Sequence, residues 1–440
     1  MLLILLALVP LGPATASSDP DLAPGRVIVK MRPGRGLRGA QATYGALAVE
    51  ERPNLGAQVW RVAPGRETEV ARRLAAQPDV EYAEPDRVAR LYAAPNDPLY
   101  PTNQWNLPKI GAPQAWDITV GDGSVLVAVV DSGLDLGHPD RPANLLTGCD
   151  YVRWRQALVG GACPTVQDDP NGHGTHVAGI LAARQNNGLG ISGVAPGLSV
   201  LVIRTADETG ASYASDVASA VREAVDAGAR VINLSLGGPS STTLQRSAIE
   251  YALGHGVVVV AAMGNEYQTG NPISYPAAYA GVVAVGAATH DDQHASYSNT
   301  GDHISLVAPG GNGDAVGDPV NWITSLWPWS RGGFALEVGT SQAAPHVAGT
   351  AGLMLSARPS LTGSEVAALL RSTARPLGGA VPNATFGYGY LDANAAVRAA
   401  QAGGAAPSPT PTPRPVPVPS LPIGWHRQHV PLAPRGLVGA

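Results

Sequence analysis

Val127-Ala128-Val129-Val130-Asp131-Ser132-Gly133 is a run of small and branched apolar residues that ends on a carboxylate and a glycine. A run apolar on both faces fits a strand covered by helices on each side, and its last residue then stands at the carboxyl edge of a parallel sheet. The pattern recurs. Val125–Val130, Val200–Arg204, Val231–Leu236, Val257–Ala262 and Val282–Ala287 are all short runs rich in Val, Ile or Ala. Between them, Thr175–Gln185, Ser215–Ala227 and Leu244–Gly254 have helical composition and length, and further helical segments follow Ser341 and Thr362. Strands alternating with helices imply right-handed crossovers, and so an α/β fold: a doubly wound parallel sheet with helices on both faces.

Upstream the pattern differs. Gly25–Lys30 alternates like a strand, Thr68–Gln77 has helical spacing with Val70, Leu74 and Ala75 as its apolar side, and Val80–Asp86 reads as a second strand or turn. This is a small α+β unit, and the turn Asn96-Asp97-Pro98 marks its boundary with the larger one. Residues 1–16, MLLILLALVPLGPATA, form an apolar stretch closed by an A-x-A pattern, read as a leader for export and too short to span a bilayer. Proline at every second position from Pro407 to Pro419 makes residues 401–440 a flexible, polyproline-like tail.

The chain of 440 residues has a net charge of −5, divided as +2 over residues 17–94, −10 over 95–400 and +3 over 401–440. A weakly basic piece beside an acidic one is compatible with docking between them. Neither a basic run interleaved with aromatics nor a later apolar stretch of membrane-spanning length occurs, so neither nucleic acid nor a membrane anchor is expected. Cys149 and Cys163, the only cysteines, are expected to form a bridge in an exported chain, worth about 3 kcal/mol in the chain-entropy model. Two free buried thiols are the alternative.

Two further motifs accompany the first: Asn171-Gly172-His173-Gly174-Thr175-His176-Val177-Ala178-Gly179 and Gly339-Thr340-Ser341-Gln342-Ala343-Ala344-Pro345-His346-Val347-Ala348-Gly349. Each puts a polar reactive side chain among glycines at the start of a helical stretch. A serine hydroxyl is a poor nucleophile unless a base takes its proton; histidine can do so near neutral pH, and a buried aspartate fixes its tautomer. Ala261-Ala262-Met263-Gly264-Asn265-Glu266 sets an amide at another strand end, a donor for a developing oxyanion together with the Ser341 N–H. His176 and His346 read as buried, hydrogen-bonded histidines. A metal-dependent hydrolase built on His173, His176 and Asp131 is a competing reading, although no H-E-x-x-H pattern supports it.

These motifs, with Gly264-Asn265, match in sequence, order and spacing those of subtilisin-type serine endopeptidases, which residues 97–400 resemble. The resemblance implies Asp131 as triad acid, His173 as general base, Ser341 as nucleophile and Asn265 as oxyanion donor. It also implies that a peptide substrate pairs as a strand with Ser235-Leu236-Gly237-Gly238 and Thr209-Gly210-Ala211. The primary pocket is then walled by Ser235–Gly237, by Ala262-Met263-Gly264 and by Ser274-Tyr275-Pro276. No acidic residue stands at its expected base, so a broad apolar or aromatic preference follows. A structural Ca2+ is implied, bound by Asp97, Asp140, Asn187 and the carbonyls of Gln185, Leu189 and Ile191.

Residues 25–92 resemble the inhibitory propeptide of the family, a partner that acts as intramolecular chaperone and inhibitor. Self-cleavage is expected after Tyr92 or Ala94. The whole then reads as a secreted, autoprocessed, monomeric endopeptidase acting on peptides and proteins through an acyl-enzyme. The alternative is a catalytically silent peptide-binding protein that keeps the fold.

Overall fold

The computed structural model describes residues 22–35, 42–88, 94–157, 161–313 and 321–403. The expected leader, the bond after Tyr92 and the proline-rich tail lie outside these residues.

Residues 22–88 form a unit with its own hydrophobic core. Strands β1 (Leu22–Met31), β2 (Ala48–Arg52), β3 (Ala57–Arg61) and β4 (Val80–Arg87) make an antiparallel sheet in the order β2-β3-β1-β4. The helix Glu67–Ala75 packs Val70, Ala71 and Leu74 onto Val27, Val29, Trp60 and Val80. The expected inward Ala75 is exposed. It closes the helix, past the reach of the sheet, and Ala71 takes its place on the apolar stripe.

The larger unit is built on seven parallel strands: β5 (Leu126–Asp131), β6 (Asn144–Asp150), β7 (Ser199–Arg204), β8 (Val231–Leu234), β9 (Val258–Ala262), β10 (Val283–Ala288) and β11 (Leu306–Pro309). Their order is β11-β10-β9-β8-β5-β7-β6. β5 thus lies inside the sheet, with Asp131 opposite Arg204 of β7 and Val129 opposite Asn233 of β8. Val127, Val129, Val200, Val202 and Val259 are fully buried. Each such side chain contributes roughly 1.5–3 kcal/mol relative to exposure, which is why this pattern cannot serve as a half-wet strand. The five strands expected from the sequence are present, each with ends within two residues of those expected.

β6 and β11 do not stand out in the sequence. β6 lies at one edge, and its sequence Asn-Leu-Leu-Thr-Gly-Cys-Asp has neither a continuous apolar run nor a strict alternation, while β11 is only four residues long. A hairpin of β12 (Ile323–Leu326) and β13 (Phe334–Glu337) also escapes prediction. The helix Thr340–Ala357 runs through the core against β8, β9 and β10, nearly all of it buried. Its small residues permit this: a Cβ on Gly352 would lie 2.3 Å from the Leu198 side chain. The helix from His173 ends at Ala182, three residues earlier than expected, before the loop Asn186–Gly190. A disulfide joins Cys149, near the end of β6, to Cys163.

Candidate active site

Asp131 closes β5 and is buried, with 2% of the residue exposed. Its Oδ1 accepts from the Ser132 N–H at 2.7 Å and from His173 Nδ1 at 2.8 Å. A carboxylate can only accept here, so the proton sits on Nδ1 and leaves Nε2 as the free base of the ring. The Asp131 carbonyl is tied down by the N–H groups of Thr205 (2.8 Å) and Ala206 (3.2 Å).

His173 is the first residue of its helix. The helix start abuts the strand end so closely that a Cβ on Gly174 would lie 2.3 Å from the Gly133 carbonyl and 3.2 Å from Cβ of Asp131. Only glycine allows that approach. Burial pulls the His173 pKa down, but the charges of Asp131, Asp169 and Glu337 and the Asp131 hydrogen bond outweigh it, and the net shift is upward.

Ser341 is the second residue of the Thr340–Ala357 helix, so its N–H lies in the first turn, where no intrahelical acceptor exists. Its hydroxyl donates to the Ser235 carbonyl at 3.0 Å, while Ser235 Oγ donates back to the Ser341 carbonyl at 2.8 Å. The expected hydrogen bond to the His173 ring is not formed in this rotamer. The Ser235 carbonyl is a competing acceptor, and one rotation about the Ser341 Cα–Cβ bond redirects the hydroxyl.

Asn265 follows β9. Its Oδ1 accepts from both the Thr340 N–H and the Thr340 hydroxyl, each at 2.9 Å. An N–H must meet oxygen rather than an NH2, so Thr340 fixes which way the amide faces and leaves Nδ2 free as a donor beside the Gly339–Ser341 segment. Sequence reasoning missed Thr340, although it stands next to Ser341 in the motif.

The expected pocket walls come together. A Cβ on Gly237 would lie 2.4 Å from Ser274 Oγ, and Gly238 and Tyr275 exchange backbone hydrogen bonds of 3.0 and 2.8 Å. Ala262 closes β9 and leads into Gly264. Glu266, also missed, stands beside this wall, with Oε2 taken up by the Asn265 N–H (2.8 Å) and the Asn299 amide (3.0 Å). Leu236 is partly buried against the core. Thr209, Gly210 and Ala211 form a turn held by Asp207 Oδ1, which accepts from Thr209 N, Thr209 Oγ1 and Ala211 N. That turn is tied to the His173 loop through Asn171 Nδ2, which donates to the Glu208 carbonyl at 3.1 Å.

Of the expected calcium ligands, Asp97 (1% exposed) and Asp140 (0%) are both buried against the Asn186–Ile191 loop. Asp97 accepts from the N–H groups of Asn186 and Asn187, and Asp140 from Ile191 N and Asn187 Nδ2. Burial first, then the charge of Asp97, pushes the Asp140 carboxyl up to about 7. Among the described residues the carbonyls of Gln185, Leu189 and Ile191 accept no hydrogen bond. The Asn187 oxygen instead faces the Leu189 N–H.

His176 and His346 are both fully buried. The His176 Nε2 donates to the Ala335 carbonyl, and the His346 ring links the Gln342 carbonyl to the Asn106 amide. Burial lowers their pKa values to about 3 and about 4. No group of three metal-binding side chains occurs among the described residues.

The subtilase family model matches residues 122–389, and a model of the fervidolysin N-terminal prodomain matches residues 10–86. The chain is 40% identical over 285 residues to thermitase of Thermoactinomyces vulgaris, a match covering 65% of this chain and 93% of thermitase. It is 39% identical over 313 residues to the thermophilic serine proteinase of Bacillus sp. (strain AK1), covering 71% and 72% of the two chains. A solved protease from Pseudoalteromonas arctica PAMC 21717, 34% identical, superposes with a TM-score of 0.61 over 70% of this chain and 100% of that one. The chain belongs to the subtilase family and is a subtilisin-like serine protease with an N-terminal prodomain.

Proposed function

We propose that the chain is a secreted serine endopeptidase in which Ser341 attacks the peptide carbonyl, His173 takes the serine proton and returns it to the leaving amine, and Asp131 holds the imidazolium. The Asn265 amide and the Ser341 N–H stabilise the oxyanion, and water then releases the acyl group from Ser341. The observation that carries this reading is the 2.8 Å bond from His173 Nδ1 to buried Asp131, with Ser341 and Asn265 on neighbouring elements. Ser341→Ala should abolish hydrolysis of a chromogenic peptide while the variant stays folded; turnover at the native rate would refute the assignment.

The peptide pairs with Ser235–Gly238 and Thr209–Ala211, with Gly264 and Ser274 lining the first side-chain pocket. The preference is broad, for apolar or aromatic residues, because Glu266, a carboxylate beside the wall, already serves two internal donors. Cleavage of basic substrates alone would overturn that preference. Residues 1–16 direct export. Residues 25–92 fold against the protease, inhibit it and are cut away by it after Tyr92 or Ala94, leaving a monomer.

A structural Ca2+ fits the loop at Asp97 and Asp140. Both carboxylates are buried and take their hydrogen bonds from the N–H groups of Asn186, Asn187 and Ile191 and from the Asn187 amide. With the free carbonyls of Gln185, Leu189 and Ile191 they supply hard oxygen donors, and the Asn187 amide would turn its oxygen inward. Bound only by the folded state, the ion would stabilise it. Chelation should lower the Tm, and calcium should restore it; an unchanged Tm would remove the site.

A further inference from the structure

Asp169 stands outside the triad, yet the residue is only 5% exposed and its carboxylate accepts four hydrogen bonds. Its Oδ1 takes the Ser132 hydroxyl and the Gly172 N–H, both at 2.8 Å. Its Oδ2 takes the Thr175 N–H at 2.8 Å and the Thr175 hydroxyl at 2.7 Å. Ser132 adjoins Asp131 in the chain, and its Oγ also accepts from the Gly174 N–H at 2.9 Å. Thr175 Oγ1 in turn accepts from the Asp135 N–H at 3.0 Å. Residues on both sides of His173 are thereby fastened to the residue after Asp131 through one carboxylate.

The local chain explains why. The residue before the helix, its N-cap Gly172, has φ of 109° and no side chain to cap the first turn. A carboxylate from three residues earlier fills that role, and its charge suits the positive end of the helix. Most caps serve one helix; this one also reaches across to the end of β5.

We propose that Asp169 is a positioning residue: its carboxylate holds the strand end bearing Asp131 and the helix start bearing His173 in register, and adds a fixed negative charge beside the imidazole. The inference rests on the reading of His173 as general base. A misplacement of about 1 Å in such a pair can cost about 100-fold in rate. The charged groups facing the His173 ring are Asp131 from β5, Asp169 from the preceding loop and Glu337 from β13, with neutral His176 on its own helix. The carboxylates favour the protonated ring. The base works only when neutral, so loss of the Asp169 charge moves the acid limb of the rate profile to lower pH.

The test is steady-state kinetics of the whole chain on a chromogenic peptide across that limb, per active site titrated with a serine-directed phosphonate. Asp169→Asn should lower kcat by about 10- to 100-fold with KM changed less than about 2-fold, and shift the limb to lower pH. Thr175→Val, which removes a hydroxyl but keeps the charge, should lower kcat less and leave the limb in place. A native kcat in Asp169→Asn, or a lowered kcat with an unmoved limb, overturns the proposal. Should Asp169→Asn fail to fold, Ser132→Ala decides, since a native kcat there removes the tie to β5. Failure of the underlying reading looks different: Ser341→Ala would then retain turnover whatever Asp169 does.

Discussion

Single atoms carry most of the chemistry. Thr340 offers Asn265 two donors, and so decides that the amide nitrogen rather than the oxygen is free to serve the proposed oxyanion site. Thr340→Val removes the hydroxyl arm, and kcat should fall by about 10-fold with KM little changed, since the loss is felt as charge develops; stopped assays at saturating peptide measure it. The raised pKa of His173 sets a second expectation. If His173 is the base, its ring must be neutral to act, so activity should rise with pH through a midpoint above the ordinary histidine value of about 6.5. Glu337→Gln removes one of the charges that raise it, and the midpoint should fall. A pH–rate profile of kcat/KM in the two proteins reads both; a midpoint below that of free histidine would contradict the electrostatics.

At the scale of elements, the glycine-framed motifs were legible because each demands an unusual local geometry. Gly174 shows it, for no side chain fits between the His173 helix and Gly133. Strands buried on both faces were equally legible, since Val127–Val130 has no polar face to expose. The edge strand β6 and the β12–β13 hairpin were not, because their partners, rather than their own periodicity, make them strands. No role for Asp169 was legible, for a related reason. Its importance lies in four donors drawn from Ser132, Gly172 and Thr175, which only the fold assembles. The disulfide at the end of β6 staples the loop that leads on towards Asp168 and Asp169. Replacing both cysteines by serine should cost about 3 kcal/mol of stability, measured by denaturant unfolding of an inactive Ser341→Ala background.

Over the whole molecule, two separately cored units share one chain, one of them the prodomain. A parallel sheet with many long-range pairings folds slowly, which gives a docked helper its physical use. If the protease removes its own helper, Ser341→Ala should accumulate uncut, and added native enzyme should cut it near Tyr92 or Ala94; intact-mass analysis reports both. Normal maturation of the variant without added enzyme would exclude self-processing. The deeply buried His176 and His346 add a folding expectation. Both stay neutral in the fold while the unfolded chain takes up protons, so stability should decline as pH falls below about 6.5.

The most direct test of the account is the site of attack by a serine-directed phosphonate on the mature enzyme, located by peptide mass spectrometry. One adduct on the peptide containing Ser341, formed in step with loss of activity and slowed when His173 is replaced by alanine, is the expected result. Full activity with no adduct at Ser341, or labelling indifferent to His173, would contradict it.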